Sequence, residues 1–188
     1  MLWQFWFLSS NMKKTVLLFF FANAFLHAQQ LRVDTSKSFI SYEASHPVHD
    51  WSGTSEEVQG VVVVEDNVPS RIAIVASVAS FNSKNSNRDA HAVEVLEALL
   101  FPQVSFYSDA ITFDDKELKL SGELNFHGVP LPLDVSSYWT SNEDHWVLEG
   151  NFEIQPSLFG IKLPSFMLVK MRDLLSVRFR LELRTFVP

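Results

Sequence analysis

A period of two runs through most of this chain, and a segment that alternates apolar and polar residues over ten or so positions places one face in a core and the other in water. In Glu117 to His127, Leu118, Leu120, Leu124 and Phe126 alternate with Glu117, Lys119, Ser121, Glu123, Asn125 and His127. Trp146, Leu148, Phe152 and Ile154 alternate with Glu149, Asn151 and Glu153. Leu175, Val177, Phe179, Leu181 and Leu183 alternate with Ser176, Arg178, Arg180, Glu182 and Arg184. Further strands are expected over Ser38 to Ala44, Val58 to Glu65, Ser70 to Ser80, Gln103 to Phe113 and Leu131 to Thr140. About eight half-buried strands at hairpin spacing predict an all-β, antiparallel sheet, because a parallel sheet would be buried on both faces and would not alternate. Closing such a sheet removes its edges, and a barrel of roughly eight strands has room for packed side chains or one small ligand. A β-sandwich satisfies the same pattern.

One stretch breaks the rhythm. Ser86-Asn87-Arg88-Asp89 fits a helix start, Val93, Leu96 and Leu100 recur at helical spacing, and Pro102 ends the run. A single short helix is expected there, packed at or near one mouth of the barrel. Its start holds the densest polar cluster in the chain, Asn85, Arg88, Asp89 and His91. Two roles suit that cluster, a cap with an ion pair that fixes the helix or a direct contact to a ligand.

The N-terminus reads as an export leader. Met12-Lys13-Lys14 is a short basic region, Thr15 to Leu26 is an apolar run of 12 residues, and small residues suited to cleavage follow at Ala24 and Ala28. The run is too short to span a bilayer, which needs about 20 apolar residues. Residues 1–28 are therefore expected to be removed, with Met12 the better start, leaving a single domain over 29–188 in the periplasm or secreted; the other reading is an uncleaved anchor, since the stretch upstream of Met12, MLWQFWFLSS, is also apolar. That domain carries 13 basic against 22 acidic residues, a net charge of −9. Nucleic acid is not an expected partner, since phosphate binding needs a basic footprint.

The chain has no cysteine, which excludes disulfides, thiolate metal sites and a cysteine nucleophile. Its six glycines, at 53, 60, 122, 128, 150 and 160, are too scattered to build a nucleophile elbow, a P-loop or a dinucleotide-binding turn. His46 and His49 stand three apart, but on a strand that spacing puts them on opposite faces, and Pro47 interrupts any helix. No metal, cofactor or catalytic residue is assigned. His127 and His145 are expected on wet faces or turns.

Four stretches, SFNSKNSNRDAH from Ser80, FPQVSFYSDAITF from Phe101, LKLSGELNFHGVPLPLDV from Leu118 and FEIQPSLFGI from Phe152, followed by a last alternating strand, resemble the YceI-like family of exported polyisoprenoid-binding proteins. The resemblance implies a lipocalin-like barrel with an internal apolar tunnel that holds an isoprenoid or similar long-chain lipid, for binding, storage or transport without covalent chemistry. Transient membrane contact is compatible with such a carrier, and the oligomeric state is not set. The candidate tunnel wall is the apolar set Phe106, Ile111, Phe113, Leu118, Leu120, Leu124, Phe126, Leu148, Phe152, Val177, Phe179 and Leu181, each of which plain core packing would also explain. Two other readings stay open: an enzyme acting on an apolar substrate through Arg88, Asp89 and His91, and a structural or stress-related barrel with a solid core. The leader makes the first testable expectation. N-terminal sequencing of the protein from its producing cells should give a start close to Gln29, and a start at Met1 or Met12 would remove the leader reading.

Overall fold

The structure is a computed structural model that describes residues 28–115, 117–142, 145–166 and 168–185. Apart from Ala28, the expected leader lies outside the described residues. The alternating segments form antiparallel strands: β2 (Phe39–His46), β4 (Gln59–Glu65), β5 (Val68–Ser77), β6 (Gln103–Asp114), β7 (Glu117–Phe126), β8 (Val129–Asn142), β9 (His145–Ile154) and β12 (Leu175–Thr185). The short strands β1 (Gln29–Val33), β3 (His49–Ser55), β10 (Ser165–Phe166) and β11 (Val169–Lys170) join them. The order β1-β4-β5-β6-β7-β8-β9-β12 closes on itself through a β1–β12 pairing, giving an eight-stranded antiparallel barrel.

Closure is unequal along the barrel axis because β12 has three neighbours. One of its edges pairs with β9 from Leu175 to Leu183. Its other edge is divided: Leu175 to Arg180 pair with β2, and Leu183 to Thr185 pair with β1. At one end β1 completes the ring. At the other, the β2–β3 hairpin is inserted and spreads the ring by two strands. The resulting seam is bridged by paired backbone hydrogen bonds between Thr54 and Asn82, at 3.1 and 2.9 Å, and by the 2.6 Å Ser55–Ser80 hydroxyl contact.

The narrow end is solid. Leu31, Val62, Leu118 and Leu183 fill it with Trp139 and Trp146, and the Trp139 indole donates to the Asn67 carbonyl in the β4–β5 turn at 3.2 Å, plugging that end. A bulge in β6 between Tyr107 and Ala110 turns the buried Ser108 hydroxyl toward the Ser121 carbonyl, 2.8 Å away. The next residue on β7 has to be glycine: a Cβ on Gly122 would lie 2.3 Å from the Tyr107 carbonyl oxygen.

The helix α1 (Ser86–Val95) is one residue out of the expected frame at its start and shorter at its end. The cap is Asn85, whose side chain accepts from the Arg88 amide at 3.1 Å, and not Ser86. The end is a Schellman turn in which the amides of Glu97 and Ala98 donate to the carbonyls of Glu94 and Val93 and Glu97 takes the left-handed conformation at φ 45°. Leu100 consequently leaves the apolar stripe and is 70% exposed, beside Leu99 at 97%. Replacing Gly122 with alanine should lower stability by about 1–3 kcal/mol through overpacking against backbone that cannot yield. Equilibrium denaturation measures it, and an unchanged midpoint would refute the close approach.

Candidate functional site

Spreading the ring at one end leaves a space that the inward side chains do not fill. A cavity of about 250 Å³ lies under α1. Its lining on β12 runs inward from Leu175 to Leu181; six residue steps span about 20 Å of strand, or roughly 15 Å along the axis of a tilted barrel. The space is an elongated bore.

Of the apolar residues expected in a tunnel wall, Phe106, Leu120, Leu124, Phe126, Leu148, Phe152, Val177, Phe179 and Leu181 line this cavity. Ile111, Phe113 and Leu118 do not. Leu118 is fully buried in the solid end, and Ile111 packs against that same cluster. Phe113 stands opposite Leu118 on the inner face, but at the rim of the narrow end, where it is 40% exposed. Alternation assigned the correct face to all three and could not say how far down the barrel the hollow extends.

Polarity is graded along the bore. The deep end is Ile40, Ile72, Leu120, Val135, Leu148 and Leu181, while the polar side chains on the lining, Tyr42, Trp51, Arg88, Asp89 and His91, belong to its upper part. Tyr42, Trp51 and Phe81 build an aromatic rim that sequence reasoning missed, because β3 (HDWSGTS) carries no alternation. Gly53, opposite Tyr42 in register, leaves the space that the phenol ring occupies; a Cβ there would sit 2.5 Å from that ring. Burial, reinforced by the negative charge of Asp89, pushes the Tyr42 phenol above its ordinary pKa, so it stays neutral.

The helix-start cluster does not converge on one point. The Asn85 side chain caps the helix, and the Asp89 carboxylate accepts from the Ser83 amide at 3.0 Å, tying the preceding loop to the first turn. Arg88 does not pair with Asp89 as the ion-pair reading expected; its guanidinium lies 5.8 Å from the Trp51 ring centroid, a cation–π contact across the seam. His91 is largely exposed and 3.8 Å from Glu94. Asn85, Asp89 and Arg88 thus position the helix, His91 does not, and Arg88, Asp89 and His91 are also on the cavity lining.

Two histidines take roles their sequence context did not reveal. His127, expected on a wet face or in a turn, is in the turn between β7 and β8, where its side chain is only 10% exposed. Its Nδ1 lies 3.1 Å from the Phe159 carbonyl, its Nε2 lies 3.0 Å from a Glu97 carboxylate oxygen, and the Phe101 ring packs against it at 4.4 Å. It therefore joins the turn after the lid helix to the loop that carries Ile161 into the cavity wall. His46 and His49 are not on opposite faces, since the chain reverses between them and makes them cross-strand partners. His46 accepts from the Val48 amide through Nδ1 at 3.1 Å, which leaves Nε2–H to donate to the Val169 carbonyl at 3.0 Å. It anchors the small β10–β11 hairpin to the rim.

An antiparallel barrel that is solid at one end and hollow under a helix at the other defines a class of proteins that enclose an apolar space. Within that class the chain belongs to the YceI-like domain family, whose model matches residues 31–183. Protein YceI of Salmonella agona is 25% identical over 148 residues, covering 72% of this chain and 78% of that protein. Among solved structures, BcnA of Burkholderia cenocepacia superposes with a TM-score of 0.73 at 19% identity, covering 80% of this chain and 98% of its own. A polyisoprenoid-binding domain of Saccharophagus degradans, implicated in plant cell wall breakdown, superposes with a TM-score of 0.68 at 12% identity, covering 83% and 98%.

If Asp89 holds the lid's first turn, Asp89→Ala should cost about 0.5–2 kcal/mol of stability, the range for a lost cap or charged hydrogen bond. A denaturation curve identical to that of the wild type would contradict the positioning role.

Proposed function

We propose that this protein binds a polyisoprenoid or similar long-chain amphiphile noncovalently and stores or carries it outside the cytoplasm. The observation that carries this reading is the graded cavity: a bore whose deep end is hydrocarbon and whose polar groups stand toward the mouth. A charged or hydrogen-bonding group could not be satisfied at the deep end, so an occupant must enter with its apolar part first. Removing an alkyl chain from water contributes about 0.8 kcal/mol per buried CH₂, so a few isoprene units supply more than the rim hydrogen bonds can add. Length selection then falls to the side chains that end the bore. The family and the fold shared with the Saccharophagus domain support this reading, and the basic pair with its short apolar run at the N-terminus supports the extracytoplasmic location. The same gradient favours binding over chemistry, since Asp89 is engaged with the Ser83 amide and Arg88 with the Trp51 ring.

Mass spectrometry of organic extracts from the purified protein should find a chain-like lipid, and a titration with an added polyprenyl compound should saturate. Absence of both would defeat the proposal. Phe179 narrows the bore beside Phe152, the two rings 6.3 Å apart. Phe179→Ala should shift the bound population toward longer or bulkier chains. If Phe179 were packed in a solid core, the substitution would only destabilise, by about 3–5 kcal/mol, and leave the extract unchanged.

A further inference from the structure

The mouth of the bore carries apolar residues that stand clear of the protein. On one side, Leu163, Pro164 and Met171 line the cavity, and the β10–β11 hairpin between them lifts Leu168 to complete exposure, with Val169 44% exposed. The His46 bond to Val169 brings exposed Val48, at the β2–β3 turn, alongside. On the other side, Val95 and Leu96 line the cavity, and the turn that follows projects Leu99 and Leu100. Leu168 also adopts φ 65°, a left-handed conformation that glycine or asparagine accepts more readily than leucine. A bulky apolar residue that is both conformationally costly and fully exposed gains nothing for the isolated fold.

Charge is distributed along the same axis. Although the domain is acidic overall, the stretch 161–172 at the mouth contains Lys162, Lys170 and Arg172 and no carboxylate. Among the described residues none of the three is in an ion pair. Of the carboxylates around the mouth, Glu97 lies 3.0 Å from His127 and Glu94 3.8 Å from His91, Asp173 accepts from the Ser157 amide and hydroxyl, Asp89 accepts from the Ser83 amide, and Asp50 stands on the β2–β3 hairpin. The hairpin turns of the solid end are acidic, with Glu65, Asp66, Asp114, Asp115 and Glu117 exposed. An anionic surface would repel that end and attract the stretch that carries Lys162, Lys170 and Arg172. Exposed leucines on loop tips among lysines and arginine are the combination that seats a protein at the boundary between lipid headgroups and acyl chains. No described helix is long and apolar enough to cross a membrane.

We infer that the mouth is a docking surface for an anionic lipid bilayer, seated by Leu168 and Leu99 and oriented by Lys162, Lys170 and Arg172, so that the bore opens directly onto the membrane. Its purpose rests on the carrier reading above, but the surface is defined by its own side chains.

The full chain, as isolated from producing cells, is sedimented with vesicles of phosphatidylcholine and with vesicles of phosphatidylcholine mixed with phosphatidylglycerol. All variants share one N-terminus, so any contribution from residues 1–28 is common to them. The wild type should bind the phosphatidylglycerol vesicles about tenfold more tightly, a preference that salt weakens. Lys162→Glu, Lys170→Glu and Arg172→Glu together should lose roughly a hundredfold in that binding, and Leu168→Ser with Leu99→Ser roughly tenfold. Both variants should keep the wild-type circular dichroism and take up a polyprenyl compound from detergent micelles. Equal vesicle binding by wild type and variants overturns the docking surface. So does a wild type that takes up the compound and ignores vesicles, a result that leaves the carrier reading standing. Mouth-dependent vesicle binding with no uptake supports the docking surface and defeats the carrier reading. A wild-type dimer that Leu168→Ser dissociates, with no vesicle binding, assigns the surface to a second copy of the chain and overturns the inference.

Discussion

The divided edge of β12 is the constraint on which the rest of the structure depends. Hydrogen bonding along a strand edge is exclusive, so each residue of that edge serves one neighbour. Giving Leu183 to Thr185 to β1 and Leu175 to Arg180 to β2 makes a single barrel narrow below and wide above. The narrow part reaches side-chain packing with tryptophans at its end, and the wide part cannot. The hollow is a topological result, present because the available leucines, isoleucines and phenylalanines do not reach across a ring spread by two strands.

The lid follows from the same split. Spreading the ring creates a seam between β3 and the segment that follows β5, and an open seam would leave unpaired backbone at a sheet edge. Thr54 and Asn82 bridge it, Ser80 braces it, and the chain then turns directly into α1. The loop before the helix thus does double duty: Asp89 holds Ser83, and Arg88 reaches back over Trp51. This is a physical reason for the density of polar side chains from Ser80 to His91, which closes a seam and seats a helix within twelve residues.

Much of the barrel was legible because a strand with one wet face has to alternate. Glu117 to His127 and Leu175 to Leu183 state their inner faces plainly, and the structure keeps every one of those inward residues buried or facing the bore. Three kinds of feature were not legible. β3 escapes because Gly53 lies under the Tyr42 ring and the strand's polar residues face outward or pair across the seam, leaving Trp51 as its single large apolar side chain. The depth of the hollow escapes because Leu118 and Leu120 are identical in pattern, yet one is in the solid end and the other on the cavity wall. The His127 bridge escapes because its partners, Glu97 and Phe159, are 30 and 32 residues away and meet it only once the lid has docked.

The pairing of β1 with β12 has a consequence in time as well as in space. Leu31 and Thr185 lie at opposite ends of the domain, and no shorter segment of the chain contains both halves of that pairing. Hairpins such as β6–β7 and β7–β8 are local and can form early, whereas contacts of the greatest sequence separation carry the largest loop-closure cost and form late. Until they do, the wide end has walls but no floor. The enclosed space therefore depends on a contact between the two ends of the domain, the pairing with the largest loop-closure cost in the barrel.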